Sequence, residues 1–405
     1  MKEKLFSIFF CIYLFWNSIL SSVLGQNGIE MDGMFMRITL VVIFAIAFYF
    51  YMAIKPRVDG ERKAWVYIIL FAILYYSTQY INSSAGGTQT MHQSDFKQMY
   101  MGQFLRWGAD CVPGCLIGMT LLKLKDYSFI HKILPWLCLL LTPFMAVATL
   151  TMGLLEGQMH LEGGMNYQTV AYQMAVLCCY GFYYTFMYKE RSSKIVKIIM
   201  LPTMLLQAVC CLMSGGRGGV VLLVVYALYM IYFLHTRKKV SISRIILVGL
   251  VLIVAFFSAA DYLGLQDSSG FARSSGLTHD DDRFEFWSQY TPFFSQNPLL
   301  GWGLGGDYFT VGFYSHNIFI DWMLETGIVG TIILARIFYK SYKRLYELTA
   351  LNEIFVVVMI FFIYGFVMNL FSAYWISTSS NWMAFGISMT YLYAYRKQNT
   401  LSVNN

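Results

Sequence analysis

The sequence predicts an all-α polytopic membrane protein with about twelve transmembrane helices and a long extracytoplasmic loop. Composition is the first observation, since 58% of the 405 residues are hydrophobic and only 13% are charged. Soluble domains carry about 25% charged residues. The second observation is a mean hydropathy of +0.55. The third is that the charges fall between long apolar runs. We therefore expect a single integral membrane domain over residues 1–405.

The predicted helices are the apolar runs of roughly 20 residues, which is the length that crosses a hydrocarbon core. They lie at roughly 5–24, 35–54, 64–82, 104–122, 133–153, 167–187, 198–214, 218–235, 245–262, 315–337, 354–374 and 378–395. The first run follows Lys2 and Lys4 and resembles a signal peptide. It shows no clear small-residue cleavage site, so we expect an uncleaved helix.

The orientation follows from the placement of lysine and arginine, which concentrate in cytoplasmic segments. With the N-terminus in the cytoplasm, the basic residues alternate correctly at every loop. The segments on the outer side keep only Arg37, Lys97, Arg106, Arg217, Arg273 and Arg283. These outer cations are informative because the insertion rule works against them.

The turn SGGRGG, residues 214–219, is one candidate anion site on the outer side. Its four glycines expose the backbone around Arg217, and amides beside a guanidinium suit a phosphate. A tight glycine turn whose arginine reaches the lipid head groups explains the same pattern.

The longest outer segment is the predicted loop 263–314. Within it the stretch THDDDRFEFWSQYTPFF predicts a short amphipathic helix, started by its aspartates and limited by Pro292. One face of that helix would carry Arg283, Trp287, Tyr290 and Phe294. The outer aromatic residues that could stack on sugars are Trp287, Trp302, Tyr290 and Tyr308.

A histidine and an asparagine open the apolar run that follows this loop. His316 would lie near the outer end of its helix, where an imidazole can accept a proton, although a histidine at an interface is often only an anchor. Asp321 and Glu325 are four residues apart and share a helix face, where we expect them to hold the helix. The cysteine spacing indicates no zinc site and no disulfide framework, and we expect no metal and no cofactor.

The order of these motifs resembles the O-antigen ligase and O-antigen polymerase superfamily of bacterial polysaccharide assembly. The resemblance covers residues 205–335. Its elements are the Ser-Gly-rich turn with Arg217, the loop with Arg283, Trp287 and Asn-Pro-Leu-Leu-Gly-x-Gly, and His316-Asn317 before Glu-x-Gly-x-x-Gly.

The resemblance implies a GT-C-like multi-pass glycosyltransferase in the bacterial cytoplasmic membrane, with its active site facing the periplasm. Its donor would be an oligosaccharide on undecaprenyl pyrophosphate, bound by Arg217 and Arg283, and His316 would act as the catalytic base near the hydroxyl of an acceptor glycan. Further candidates for lining the pocket or positioning helices are Ser214, Gly218, Asn317, Glu325, Trp287, Gly303 and Arg106. Membrane lipid, a flippase and a chain-length regulator are the expected partners, and nucleic acid is not.

Four functions stay open on the sequence. The first is a polymerase that joins repeat units of O-antigen or capsule. The second is a ligase that moves a finished glycan to a lipid A core or another acceptor. A flippase would need a polar path through the bilayer, whereas the outer cations lie on one side. A scaffolding protein would tolerate loss of Arg217, Arg283 and His316.

Overall fold

The computed structural model describes residues 1–19, 33–55, 60–84, 100–105, 107–154, 167–188, 193–238, 241, 243 and 283–391. In these ranges every regular element is a helix, which confirms the predicted all-α class. The α-helices are α1 (Lys2–Leu14), α2 (Trp16–Ile19), α3 (Gly33–Ala53), α4 (Glu61–Ser84), α5 (Val112–Leu121), α6 (Ser128–Leu154), α7 (Tyr167–Phe182), α8 (Lys194–Met213), α9 (Arg217–Lys238), α10 (Arg283–Ser288), α11 (Thr291–Gln296), α12 (Gly306–Thr310), α13 (Ile318–Thr349), α14 (Ile354–Phe371) and α15 (Ser379–Met389). A π turn at Trp107–Cys111 precedes α5, and another at Tyr183–Met187 follows α7.

Five of the described helices are long and apolar enough to cross a membrane, and they support an integral membrane protein. They are Ser128–Val147, Lys194–Met213, Arg217–Thr236, Ile318–Thr349 and Ile354–Phe371. The span predicted at 245–262 lies outside the described residues, so a total of about twelve stays a prediction. In the first predicted span, α1 ends at Leu14 and α2 restarts at Trp16.

The chain divides into two compact units, and the single domain expected over 1–405 stays a prediction. Unit 1 comprises Met1–Glu3, Met36–Lys125 and Asp280–Asn405, and unit 2 comprises Lys4–Phe35 and Asp126–His279. In unit 2, the described core is formed by α6, α7, α8 and α9.

In unit 1, α14 is buried along most of its length, and α5 packs closely on α15. Glycines permit this approach, because a Cβ at Gly118 would lie 2.3 Å from the Met383 oxygen. A Cβ at Gly386 would lie 2.4 Å from the Cys115 oxygen. A buried ion pair between Lys123 and Glu61, at 3.0 Å, also belongs to this unit.

Helix α13 is broken at Gly327, whose φ of 62° and ψ of −170° are not helical. A neighbouring segment fills the break with its backbone. Before the break, the Leu324 and Glu325 carbonyls accept hydrogen bonds from Trp302 N (2.9 Å) and Gly303 N (2.7 Å). This pairing satisfies groups that a helix end leaves without partners.

After the break, Ile328 N and Val329 N donate to Pro298 O (2.9 Å) and Leu299 O (3.3 Å). Two motifs of the sequence therefore pair with each other through their backbones. They are Asn-Pro-Leu-Leu-Gly-x-Gly and Glu-x-Gly. The single amphipathic helix predicted in the loop is instead two short helices, α10 and α11. Pro292 lies in the first turn of α11, because a proline has no N–H to continue the preceding helix.

Candidate active site at the entrance of helix α13

The turn before α13 holds His316 in a strained conformation. Its φ is 60°, and it is the only described residue other than glycine with a positive φ. Such a conformation costs about 1–3 kcal/mol and persists only where the surroundings impose it. Asn317 caps the helix, since its Oδ1 accepts from Phe319 N at 3.0 Å and Ile320 N at 3.5 Å.

Two side chains from other positions fix Ser315, which immediately precedes the histidine. Buried Asp321 accepts hydrogen bonds at Oδ1 from Ser315 N (2.8 Å) and Ser315 Oγ (2.6 Å). The indole Nε1 of Trp287 donates to Ser315 O at 2.9 Å. Trp287, a predicted pocket residue, therefore supports the turn from α10 through its polar edge.

The imidazole of His316 is oriented by a backbone carbonyl. Its Nδ1 lies 3.1 Å from Ser372 O, between α14 and α15. A carbonyl oxygen can only accept, so the neutral ring carries its proton on Nδ1, and the lone pair lies on Nε2. The rings of Tyr314 and Phe313 pack at centroid distances of 4.5 and 5.3 Å from the imidazole.

Glu325 is fully buried and joins three segments of unit 1. Its carboxylate accepts hydrogen bonds from Tyr374 Oη, from Trp375 Nε1 at 2.9 Å and from Gly305 N at 2.9 Å. The segment of Tyr374 and Trp375 directly follows Ser372, so Glu325 supports the carbonyl that orients the histidine. Gly303, another predicted residue, bonds to the main-chain oxygen of Glu325 and has a φ of 89°.

Asp307 is a third acid of this unit that the sequence analysis did not single out. It is fully buried, and its carboxyl group interacts with that of Glu325. Burial, followed by the charges of Glu325 and Asp321, raises the pKa of Asp307 well above its ordinary value. Its one sequence signal is that it is the only charged residue between Glu285 and Asp321.

The Ser-Gly-rich turn lies in unit 2, where close packing explains most of its glycines. A Cβ at Gly218 would lie 2.0 Å from Tyr172 Oη, and a Cβ at Gly216 or Gly219 would lie 2.5 Å from the Ala171 Cβ. These glycines let α9 approach α7. The backbone anion site expected here stays a prediction.

Two other residues of this turn were predicted to be functional. Ser214 ends α8, and its hydroxyl donates to Cys211 O at 2.8 Å. Arg217 opens α9 and is half-buried. Its convergence with Arg283 and His316, which belong to unit 1, stays a prediction.

Some predicted site residues have no described side chain or play a different part. Arg106 lies outside the described residues, and Arg283 begins α10 with a side chain that is likewise outside the description. Tyr290 and Tyr308, predicted to stack on sugars, are buried, and Trp302 Nε1 donates to Phe293 O at 2.9 Å. No cluster of three or more potential metal ligands occurs in the part of the chain that the structure describes.

Fold and site together define an integral membrane protein with a histidine fixed at a helix entrance. Residues 202–335 match the model of a family described as O-antigen ligase. Over 123 residues, the chain is 28% identical to the ComP-specific O-oligosaccharyltransferase of Acinetobacter baylyi (strain ATCC 33305 / BD413 / ADP1). That match covers 26% of this chain and 22% of the relative, so the chain spans less than a quarter of that curated protein. The resemblance read over 205–335 is confirmed, and this part of the chain is similar to the O-antigen ligase superfamily.

Proposed function

We propose that the protein is a glycosyltransferase that uses a glycan carried on undecaprenyl pyrophosphate. It transfers that glycan to the hydroxyl of an acceptor glycan at the outer face of the cytoplasmic membrane, which agrees with the matched family. The observation that carries the proposal is the geometry of His316. The side chain is held by a strained turn, and a hydrogen bond to Ser372 O places the lone pair on Nε2.

The chemistry assigns each predicted residue one task. The acceptor oxygen attacks the anomeric carbon of the donor and gives its proton to Nε2 of His316, while the bond to the pyrophosphate oxygen breaks. Negative charge grows on the leaving pyrophosphate, and the guanidinium groups of Arg217 and Arg283 stabilise it. Direct displacement inverts the anomeric centre, and a product with retained configuration would contradict this step.

A polymerase of repeat units is the leading form of this activity. A ligase is the second candidate, and the matched family is described as O-antigen ligase and the relative as an oligosaccharyltransferase. Both forms share the donor chemistry. Deleting the gene separates them, because single-repeat surface glycan indicates a polymerase, whereas long chains accumulating on undecaprenyl pyrophosphate indicate a ligase.

The test of the shared activity uses purified full-length protein in nanodiscs, an undecaprenyl-pyrophosphate-linked repeat unit and an acceptor glycan. We expect His316→Ala to lower turnover about 100-fold or more, as loss of a general base does. The matched control is His235→Ala, which changes an exposed histidine near the end of α9. Full activity of His316→Ala would exclude the imidazole as the base.

The arginines are tested in the same assay. Arg217→Ala and Arg283→Ala should each lower turnover strongly, and the control Arg62→Ala, at an exposed position of α4, should not. In proteoliposomes of the same protein, movement of labelled lipid-linked glycan across the bilayer without any glycan transfer would instead support a flippase.

A further inference from the structure

One stretch of the predicted extracytoplasmic loop has the surface of a membrane-embedded segment. Leu299 is 63% exposed and Leu300 is 75% exposed, although both side chains are large and apolar. No charged residue occurs between Asn297 and Gly306. Adjacent exposed leucines are unfavourable in water and favourable in hydrocarbon.

Several backbone groups of this stretch are paired within the protein. Non-helical backbone is tolerated at membrane depth only where its polar groups find partners within the protein. Here the carbonyls of Pro298 and Leu299 accept from Ile328 N and Val329 N, and Gly301 N closes the turn by donating within the segment. The carbonyls of Pro298 and Leu299 thus face α13, whereas the side chains of Leu299 and Leu300 are exposed.

The surface is continuous with that of a candidate membrane span. Ile328 and Val329 are themselves exposed, and Ile332, one turn further along α13, is 64% exposed. The next exposed charged residue on the helix is Arg336. The helix between Ile328 and Arg336 is about 12 Å long at 1.5 Å per residue. This exposed surface without charge is short enough to fit inside a hydrocarbon core about 30 Å thick.

We infer that Leu299 and Leu300 form a re-entrant tip whose side chains contact the acyl chains of bilayer phospholipid. The tip holds the break of α13 at a fixed depth in the membrane, and with it the main chain of Glu325. This inference does not depend on the proposed function, since it concerns the lipid contact and not the reaction.

The test places p-benzoylphenylalanine at position 300 of the full-length chain. The protein is reconstituted in nanodiscs of phosphatidylethanolamine and phosphatidylglycerol, illuminated and analysed by mass spectrometry. We expect a phospholipid adduct joined through the acyl chain, in a yield similar to that from Ile332 on α13. The same probe at Lys125, which is exposed in the polar connection between α5 and α6, should give little or none.

Three results would overturn the inference. One is the absence of a lipid adduct at position 300 when Ile332 gives one. The second is an adduct confined to the lipid head group, which would place the tip at the interface. The third is a dominant adduct with another copy of the chain or with a polyprenyl lipid, which would assign the leucines a different partner. An unchanged melting temperature of the position 300 variant confirms that the fold is retained in each case.

Discussion

The contact between the two glycine motifs predicts a large stability cost for one added methyl group. In Gly327→Ala, the new Cβ would lie 2.3 Å from the carbonyl carbon and oxygen of Leu299. A non-glycine residue at this φ and ψ costs about 1–3 kcal/mol. Separation of the segments also loses the hydrogen bonds of Ile328 and Val329, at about 1 kcal/mol each. The expected loss is therefore about 3–5 kcal/mol.

The matched control is Gly102→Ala, in the helical residues 100–105. A Cβ there would meet no heavy atom within 4 Å, and alanine stabilises a helix by about 1 kcal/mol relative to glycine. Tryptophan fluorescence of purified protein in detergent gives the apparent melting temperature of each variant. For a chain of this size, the loss at Gly327 corresponds to a decrease of about 5 °C.

A second variant identifies the contact itself. A Cβ at Gly301 would lie 2.5 Å from the carbonyl carbon of Glu325, on the opposite side of the same contact. Gly301→Ala should therefore destabilise comparably, and the double variant with Gly327→Ala should lose less than the sum of the two. The reasoning fails if Gly327→Ala melts no lower than the wild type or if the two losses add in full.

Three further predictions concern the supports of the site. Trp287→Phe removes the indole donor and should lower turnover several-fold at a stability cost of about 1 kcal/mol, while Trp136→Phe, at an exposed position, changes neither turnover nor melting temperature. Gly218→Ala should lower the melting temperature because its Cβ meets the Tyr172 hydroxyl, and adding Tyr172→Phe should restore part of the loss. Because the pKa of Asp307 is raised, the folded state binds its proton more tightly than the unfolded state, so stability falls as pH rises above the ordinary value of about 4. Melting scans across that range should show a shallower fall for Asp307→Asn, and an identical slope would contradict the assignment.

The elements that could be predicted from the sequence are those set by local pattern. Helix bounds such as Lys194–Met213 and Ile354–Phe371 follow from runs of apolar residues, and Asn317 lies where a capping residue is expected. The match over 202–335 agrees with the motif block read from order and spacing. These features depend on neighbours in the chain, so a single sequence contains the information.

The contacts that the sequence analysis missed join distant parts of the chain. Nothing near Gly327 indicates that residues 298–303 fill a break in its helix, since the two are more than twenty positions apart. Ser372 is a serine in a polar connection, and its role comes from its carbonyl, which every residue has. Asp307 was missed because a lone aspartate after glycines is typical of a solvent-exposed turn.

Ionised acids beside the proposed diphosphate site would repel the donor, because like charges repel. Hydrogen bonding and burial restrict the three acids of this region. Glu325 accepts three hydrogen bonds, Asp321 accepts two from Ser315, and burial favours the neutral form of Asp307. Glu325 and Asp321 are thus engaged in hydrogen bonds that hold segments of unit 1 together. His316, whose Nδ1 lies beside the Ser372 carbonyl, is the base in the proposed mechanism. The proposed mechanism therefore assigns the proton transfer to the imidazole and assigns to the carboxyl groups the rigidity that holds it.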